Sequence, residues 1–223
     1  MTEPEVPQGC RVIPLWKTTY RDNFHPENTI WEICDYTVVS ECDFCWLNQW
    51  RWIRKQSSKN GDYCAHRMER LLNGQLVDVF MAREILGLPR GAGHGGDQAD
   101  HKNHRTLENT LDNLRIATSF QSVANRQSWS TISRFKGVMH HKYGFQSRIV
   151  FHRIYVYFPL VTLEVEAGLM HFYASTLLRD EFSCDSEFSS EEMPSEERQN
   201  ELYQMVIDKL VEKGLADYII WPS

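Results

Sequence analysis

The sequence predicts an α+β protein: a strand–loop–strand–helix module in its middle, a three-stranded antiparallel sheet with one packed helix, and a C-terminal helix. Three observations carry this expectation. Short segments of alternating apolar and polar residues follow one another from Phe135, separated by turn residues. Thr118 with Gln121 three residues on is a capping-box pattern directly after the apolar run Leu114-Arg-Ile-Ala117. Leu202, Val206 and Leu210 form one stripe at helical spacing between Ser195 and Gly214.

The elements follow in order. Met1–Gly9 reads as a loose arm, and Arg11–Trp52 is rich in aromatics, with a strand at Tyr36–Ser40 and a helical turn at Asp43–Trp50. Ser57–Asp62 is a turn signal. Asn73-Gly74 is a hairpin dipeptide before a returning strand, Leu76–Phe80. Phe80–Leu86 is a short helix stopped by Gly87 and Pro89, and Gly87–Gly96 is a connector without the Lys-Ser/Thr ending of a phosphate-binding loop. A strand at Asn113–Ala117 precedes a helix from Thr118 to about Gln127. Lys136–His140, Phe145–Phe151 and Tyr155–Phe158 form the meander, with Lys142–Gly144 and His152-Arg153 as its turns. Thr162–Leu178 is a helix with Glu164 and Glu166 near its start, where carboxylates suit the dipole. Cys184–Glu197 is Ser/Glu-rich and linker-like. The chain divides into 1–75, an aromatic-rich region; 76–128, the module; 129–180, the sheet domain; and 181–223, an acidic linker and helix.

Composition bounds the function. In 223 residues, 42% are hydrophobic and 24% charged, enough to bury a core. No apolar run approaches the ~18 residues of a membrane span. The acidic start with Pro and Gly is unlike a secretory or transit signal. The six cysteines are irregularly spaced, which favours free thiols in a reducing intracellular compartment. The net charge of −6 argues against nucleic acid only until it is divided. Residues 1–50 carry −5, residues 51–160 carry +9 and residues 161–223 carry −10. No acid occurs between Asn113 and Leu163, a stretch holding Arg115, Arg126, Arg134, Lys136, Lys142, Arg148 and Arg153. A basic middle of this kind reads, on charge alone, as a solvated basic face or as a surface for phosphate contacts without sequence choice. Lys136-Gly-Val138 and the aromatics Tyr155, Tyr157 and Phe158 read as turn and core. Cys42 and Cys45 have zinc-knuckle spacing, with Cys64 and His66 as a second pair, but a helix over the first pair and a turn beside the second disfavour zinc.

The chemistry-bearing stretch is Asp100-His101-Lys-Asn103, Leu107-Glu-Asn109 and Asn113-Leu-Arg115 before the capped helix. A carboxylate for a metal and an imidazole for a water are the residue types that phosphodiester hydrolysis needs.

Together with Ile85–Gly91, Thr118, Gln121 and Asn125-Arg126, this text resembles the HNH homing endonucleases that carry an Apetala-type DNA-binding domain. Phe135-Lys-Gly-Val138 and Gly144-Phe145-Gln-Ser-Arg148-Ile149 resemble the start of that domain. The resemblance covers roughly Ile13–Asp180. It implies a ββα-metal fold for the module, with Asp100 and a residue on the following helix ligating Mg2+ or Mn2+, His101 as general base and Asn113 orienting it. Where the family has Asn on that helix this chain has Ser122, with Asn125 one turn on as the substitute. Ala82 replaces a His, and a tryptophan near Phe145 is absent. The implied function is metal-dependent nicking of double-stranded DNA. The departures imply the alternative, a decayed structural subunit in a protein or RNA-containing assembly, with protein partners at the acidic termini and C-terminal helix. The tail Tyr218–Trp221 reads equally as a docking segment or as packing on its own domain.

Overall fold

The computed structural model describes residues 3–21, 25–56, 62–90, 96–125, 133–183 and 188–221. The expected turn at Ser57–Asp62, the centre of the Gly-rich connector, the end of the capped helix with Arg126, and Cys184 lie wholly or mostly outside them. The chain forms two compact units, residues 1–119 and 120–223.

The first unit is built on a six-stranded mixed sheet. Its strands are β1 (Cys10–Tyr20), β2 (Ile30–Ser40), β3 (Trp52–Gln56), β4 (Tyr63–Arg70), β5 (Leu76–Phe80) and, further along, a two-residue strand at Glu108–Asn109. Their spatial order is β5-β4-β3-β1-β2 and then Glu108–Asn109. β1 and β2 pair antiparallel over most of their length, while β1 meets β3 in parallel only at Leu15 and Trp16. The alternation in β1 buries Ile13 and Leu15 on one face. A short helix, α1 (Glu41–Leu47), caps the sheet, and Leu47 accepts a hydrogen bond from the buried Trp52 indole at 2.8 Å. Ile13, Leu15, Val39, Trp52, Val79 and Met81 make the core with it. The Asn-Gly hairpin forms as its dipeptide requires. Gly74 takes φ +84, a conformation open to glycine at no steric cost, and the Asn73 side chain accepts from Gln75 N–H. α2 (Met81–Ile85) follows β5 directly.

The architecture corrects the expected fold class. A ββα-metal (HNH) module followed by a small sheet is not what this unit is. The segment between residues 98 and 117 supplies a two-stranded ladder, β6 (Gln98–His101) against β8 (Leu114–Ala117), but its connecting loop does not stand alone. Glu108–Asn109, here β7, leaves that loop and pairs in parallel with Val38 and Val39 of β2 as the edge of the large sheet. The loop therefore belongs to the six-stranded sheet, whose other strands lie up to 98 residues earlier in the chain. No local pattern announces such a long-range parallel pairing.

α3 (Ser119–Asn125) follows β8 in the chain, and from Phe120 on it belongs to the second unit. The second unit has three layers. A meander of β9 (Val138–His141), β10 (Gly144–Phe151) and β11 (Ile154–Tyr157) lies on α4 (Glu164–Arg179), and α5 (Glu196–Glu212) packs on α4. His152 and Arg153 both have positive φ, as the two-residue turn between β10 and β11 requires. The inward residues Val138, Ile149, Phe151, Val156 and Phe158 meet Leu169, Met170 and Leu177 of α4, and Leu202, Val206 and Leu210 of α5 extend the core. Phe135 crosses α4 at Gly168, where a Cβ would lie 2.6 Å from its ring, so this helix pays the propensity cost of glycine for close approach.

Glu166 does more than complement a dipole. It is buried and accepts from Arg198 Nε at 2.7 Å, joining α4 to α5, and this bond raises the guanidinium's proton affinity. In the Ser/Glu-rich stretch, Phe188 stacks on Phe135 with ring centroids 5.1 Å apart. The tail packs on its own unit: Ile219 is buried and Ile220 N–H donates to Leu177 O, while Trp221 stays 59% exposed. Ser195 caps α5 by accepting from Arg198 N–H. Ser195→Ala is expected to lower the stability of this unit by about 1 kcal/mol, read as a lower urea midpoint.

Among the described residues no helix is long and apolar enough to cross a membrane. Among the described residues Cys10, Cys34, Cys42, Cys45 and Cys64 are free thiols.

Candidate functional site

The residues expected to form a metal centre are engaged otherwise. The antiparallel register of β6 and β8 sets Asp100 directly opposite Arg115. Arg115 Nε donates to Asp100 Oδ2 at 2.8 Å, and the two side chains are only 9% and 8% exposed. A carboxylate held this way in a buried ion pair already has its countercharge. Next to it, the His101 ring meets Asn109 Oδ1 at 3.1 Å through Nε2. Asn109 in turn donates to Thr37 Oγ1 at 2.9 Å, and Thr37 donates to Leu107 O at 2.7 Å. This buried chain runs across the edge of the six-stranded sheet. Burial lowers the pKa of His101, outweighing the hydrogen bond it donates to Asn109 Oδ1 and the nearby acids, which raise it.

Asn113 was expected to orient the imidazole. Instead its Oδ1 accepts from Asn103 N–H and its Nδ2 donates to Glu108 O, which shapes the loop between β6 and β8. Ser122 and Asn125 lie on α3 in the second unit, whereas Asp100 and His101 belong to the first. Among the described residues no group of three or more His, Cys, Asp and Glu side chains is placed to hold a metal ion. The Mg2+ or Mn2+ centre, the HNH-type nicking reaction and the HNH-derived subunit are therefore corrected. The physical reason is the register: the strand paired with the one that carries the expected ligand presents a guanidinium directly opposite it. Cys42 and Cys45 are exposed on α1, while Cys64 and His66 lie on β4. Cys64 Sγ donates to Lys55 O, with its pKa pushed up by burial to about 11, and His66 contacts Asp78 Oδ1 at 3.1 Å.

The expected nucleic-acid contacts separate by partner. Arg115 is in the buried pair with Asp100, and Arg126 lies outside the described residues. Arg134 pairs with Glu192, and the Lys136 ammonium donates to Ala124 O. Lys142, Arg148 and Arg153 are exposed and make no ion pair among the described residues. These three lie along one strand. Lys142 is in the turn before β10, Arg148 is in its middle and Arg153 is in the turn after it. Arg148 pairs across the ladder with Tyr157, and Val150 with Tyr155.

Tyr155 and Tyr157 depart from the expectation of core. They are 55% and 42% exposed, while Val156 and Phe158 between and beyond them are buried. The period-2 alternation of β11 was the signal: only one of the two sets turns toward α4. The open face of the meander thus carries Arg148, Tyr155 and Tyr157, with Lys142 and Tyr143 at one end and Arg153 at the other. The acids of residues 161–223 sit on the helical layers and the segments joining them. No known protein family, curated protein or solved structure matches the chain.

Proposed function

We propose that the second unit binds nucleic acid through the phosphate backbone, using the open face of its three-stranded sheet. One observation carries the reading. The acid-free stretch from Asn113 to Leu163 leaves Lys142, Arg148 and Arg153 exposed along β10 with no neutralising carboxylate among the described residues. Elsewhere among the described residues, Arg54 pairs with Asp35, Lys55 with Asp78, and Arg198 with Glu166 and Glu201. Exposed cations without acids attract phosphates through counterion release, and the −10 on the helical layers orients the unit with its sheet toward a polyanion. The face has one arginine and no asparagine in position to read base edges, so the contact is positional and indifferent to sequence.

The test is fluorescence anisotropy with labelled oligonucleotides across a salt series. Three phosphate contacts correspond to a log–log slope of roughly −2 to −3, so affinity falls roughly 16- to 64-fold between 50 and 200 mM salt. Arg148→Ala is expected to reduce that slope by about one. Absence of binding at 50 mM salt, or a slope unchanged by Arg148→Ala, overturns the reading.

A further inference from the structure

We infer that the strand bound on this face is single, with its bases stacked on the tyrosines beside β10. The inference rests on the backbone-binding reading and adds what the aromatic side chains do. Tyr155 and Tyr157 are two residues apart on β11, so both rings leave the same face about 6.7 Å apart along the strand. That spacing suits successive nucleotides of an extended single strand, and is about twice the 3.4 Å step of one strand in a duplex. Tyr143 is 74% exposed at the end of the β9–β10 turn, with the Lys142 ammonium 5.1 Å from its ring centre. Phenol rings this open present their faces, and every unpaired base has a face that stacks on one. In a duplex the base faces are occupied by neighbouring base pairs, so exposed rings standing on a sheet gain nothing from them.

Charge and aromatic groups follow one line. From Gly144 to Phe151, β10 advances by about 23 Å. Lys142 with Tyr143 lies at one end, Arg148 with Tyr157 in the middle, and Tyr155 then Arg153 toward the other. A length of this kind takes about four nucleotides, the lower end of the site sizes of single-strand binding folds. Ring stacking between cations that hold the phosphates is the combination that binds single strands without choosing their sequence.

The experiment compares fluorescein-labelled oligothymidylate of twelve residues with a mixed-sequence twelve-base-pair duplex, at equal salt, on the full chain. The single strand is expected to bind at least tenfold more tightly. Tyr155→Leu and Tyr157→Leu are each expected to weaken it about tenfold while leaving the salt slope unchanged, and the Phe variants are expected to retain it. Both positions are exposed, and circular dichroism of each variant verifies its fold. Duplex binding as tight as single-strand binding, or Leu variants that bind like the parent, overturns this inference while leaving backbone binding intact. No salt-dependent binding to either probe overturns both.

Discussion

Asp100→Ala is expected to destabilise the first unit by about 3–5 kcal/mol, although the residue lies in a loop-flanked two-stranded ladder rather than in the main core. The size follows from what is left behind. The Arg115 guanidinium is only 9% exposed beside Asp100. The pair as a whole is close to neutral in net stability, because desolvation of two ions offsets their attraction. Removing the carboxylate leaves the guanidinium charge buried without this ion pair, and that is the costly state. The double replacement Asp100→Leu with Arg115→Met is therefore expected to recover most of the loss. Urea unfolding of the single and double variants measures it. A metal-ligating carboxylate would behave oppositely, since removing it from a metal-free site costs little folding stability. A loss below about 1 kcal/mol for Asp100→Ala would sink the account of Asp100 as a structural partner.

Acid is expected to unfold the second unit through His171, with about 3 kcal/mol of stability lost between pH 6.5 and 4. This histidine lies between α4 and β10 and is 5% exposed. Its Nδ1–H donates to Arg148 O at 2.9 Å, and Nε2 has no partner among the described residues. Burial lowers its pKa from 6.5 to about 4, and the nearby charges of Arg179 and Lys136 act in the same direction, against the bond to Arg148 O. The unfolded chain binds a proton at His171 below pH 6.5, and the folded chain only near pH 4. Stability is therefore full above pH 6.5, falls as pH drops through that window, and levels off below about pH 4. The shift of roughly 2.5 units at ~1.4 kcal/mol each gives the magnitude. His171→Gln keeps a donor for Arg148 O and does not titrate, so its unfolding free energy should slope less with pH over the same window. Equal slopes for variant and parent would refute the assignment. The same ring explains why residue 137 is glycine: at φ +71, a Cβ there would lie 2.2 Å from His171 Nδ1.

Local signals were well marked in the sequence, and the reasons differ by element. Asn73-Gly74 specified its hairpin because few other dipeptides tolerate positive φ there. The three meander strands were legible because one face is buried and the other wet, which forces alternation. α5 was legible from its narrow apolar stripe and its Ser195 cap. β1, β3 and β4 were not, and for β1 and β4 the physical reason is visible. β1 contains Pro14, which suits few strands, and its tryptophan and threonines blur the alternation of Ile13 and Leu15. β4 places His66 and Arg67 at buried positions, where their burial depends on Asp78 and Glu84 supplied by other elements.

The expected catalytic pair shows the same limit. Asp100 and His101 were visible as residue types suited to hydrolysis, but residue type does not report who faces whom. Register put Arg115 on the carboxylate. A parallel pairing between segments seventy residues apart put Asn109, carried by its own bond to Thr37, on the imidazole. The resemblance to an HNH nuclease rested on chemistry-bearing letters in order along the chain, and the tertiary structure assigned those letters to an ion pair and a buried polar network.

What the sequence determined by itself was local: turns, caps, the inward stripe of each amphipathic element, and the uneven distribution of charge, with +9 in the middle against a total of −6. These depend on neighbours within a few residues. What only the tertiary structure decided was which polar groups are consumed and which remain available. Arg115, Arg134 and Lys136 are spent on internal partners, whereas Lys142, Arg148 and Arg153 remain beside exposed tyrosines. Coulombic and hydrogen-bonding partners act across space over a few ångströms, so the same basic residue is structural or available according to the register and layer that the whole fold assigns it.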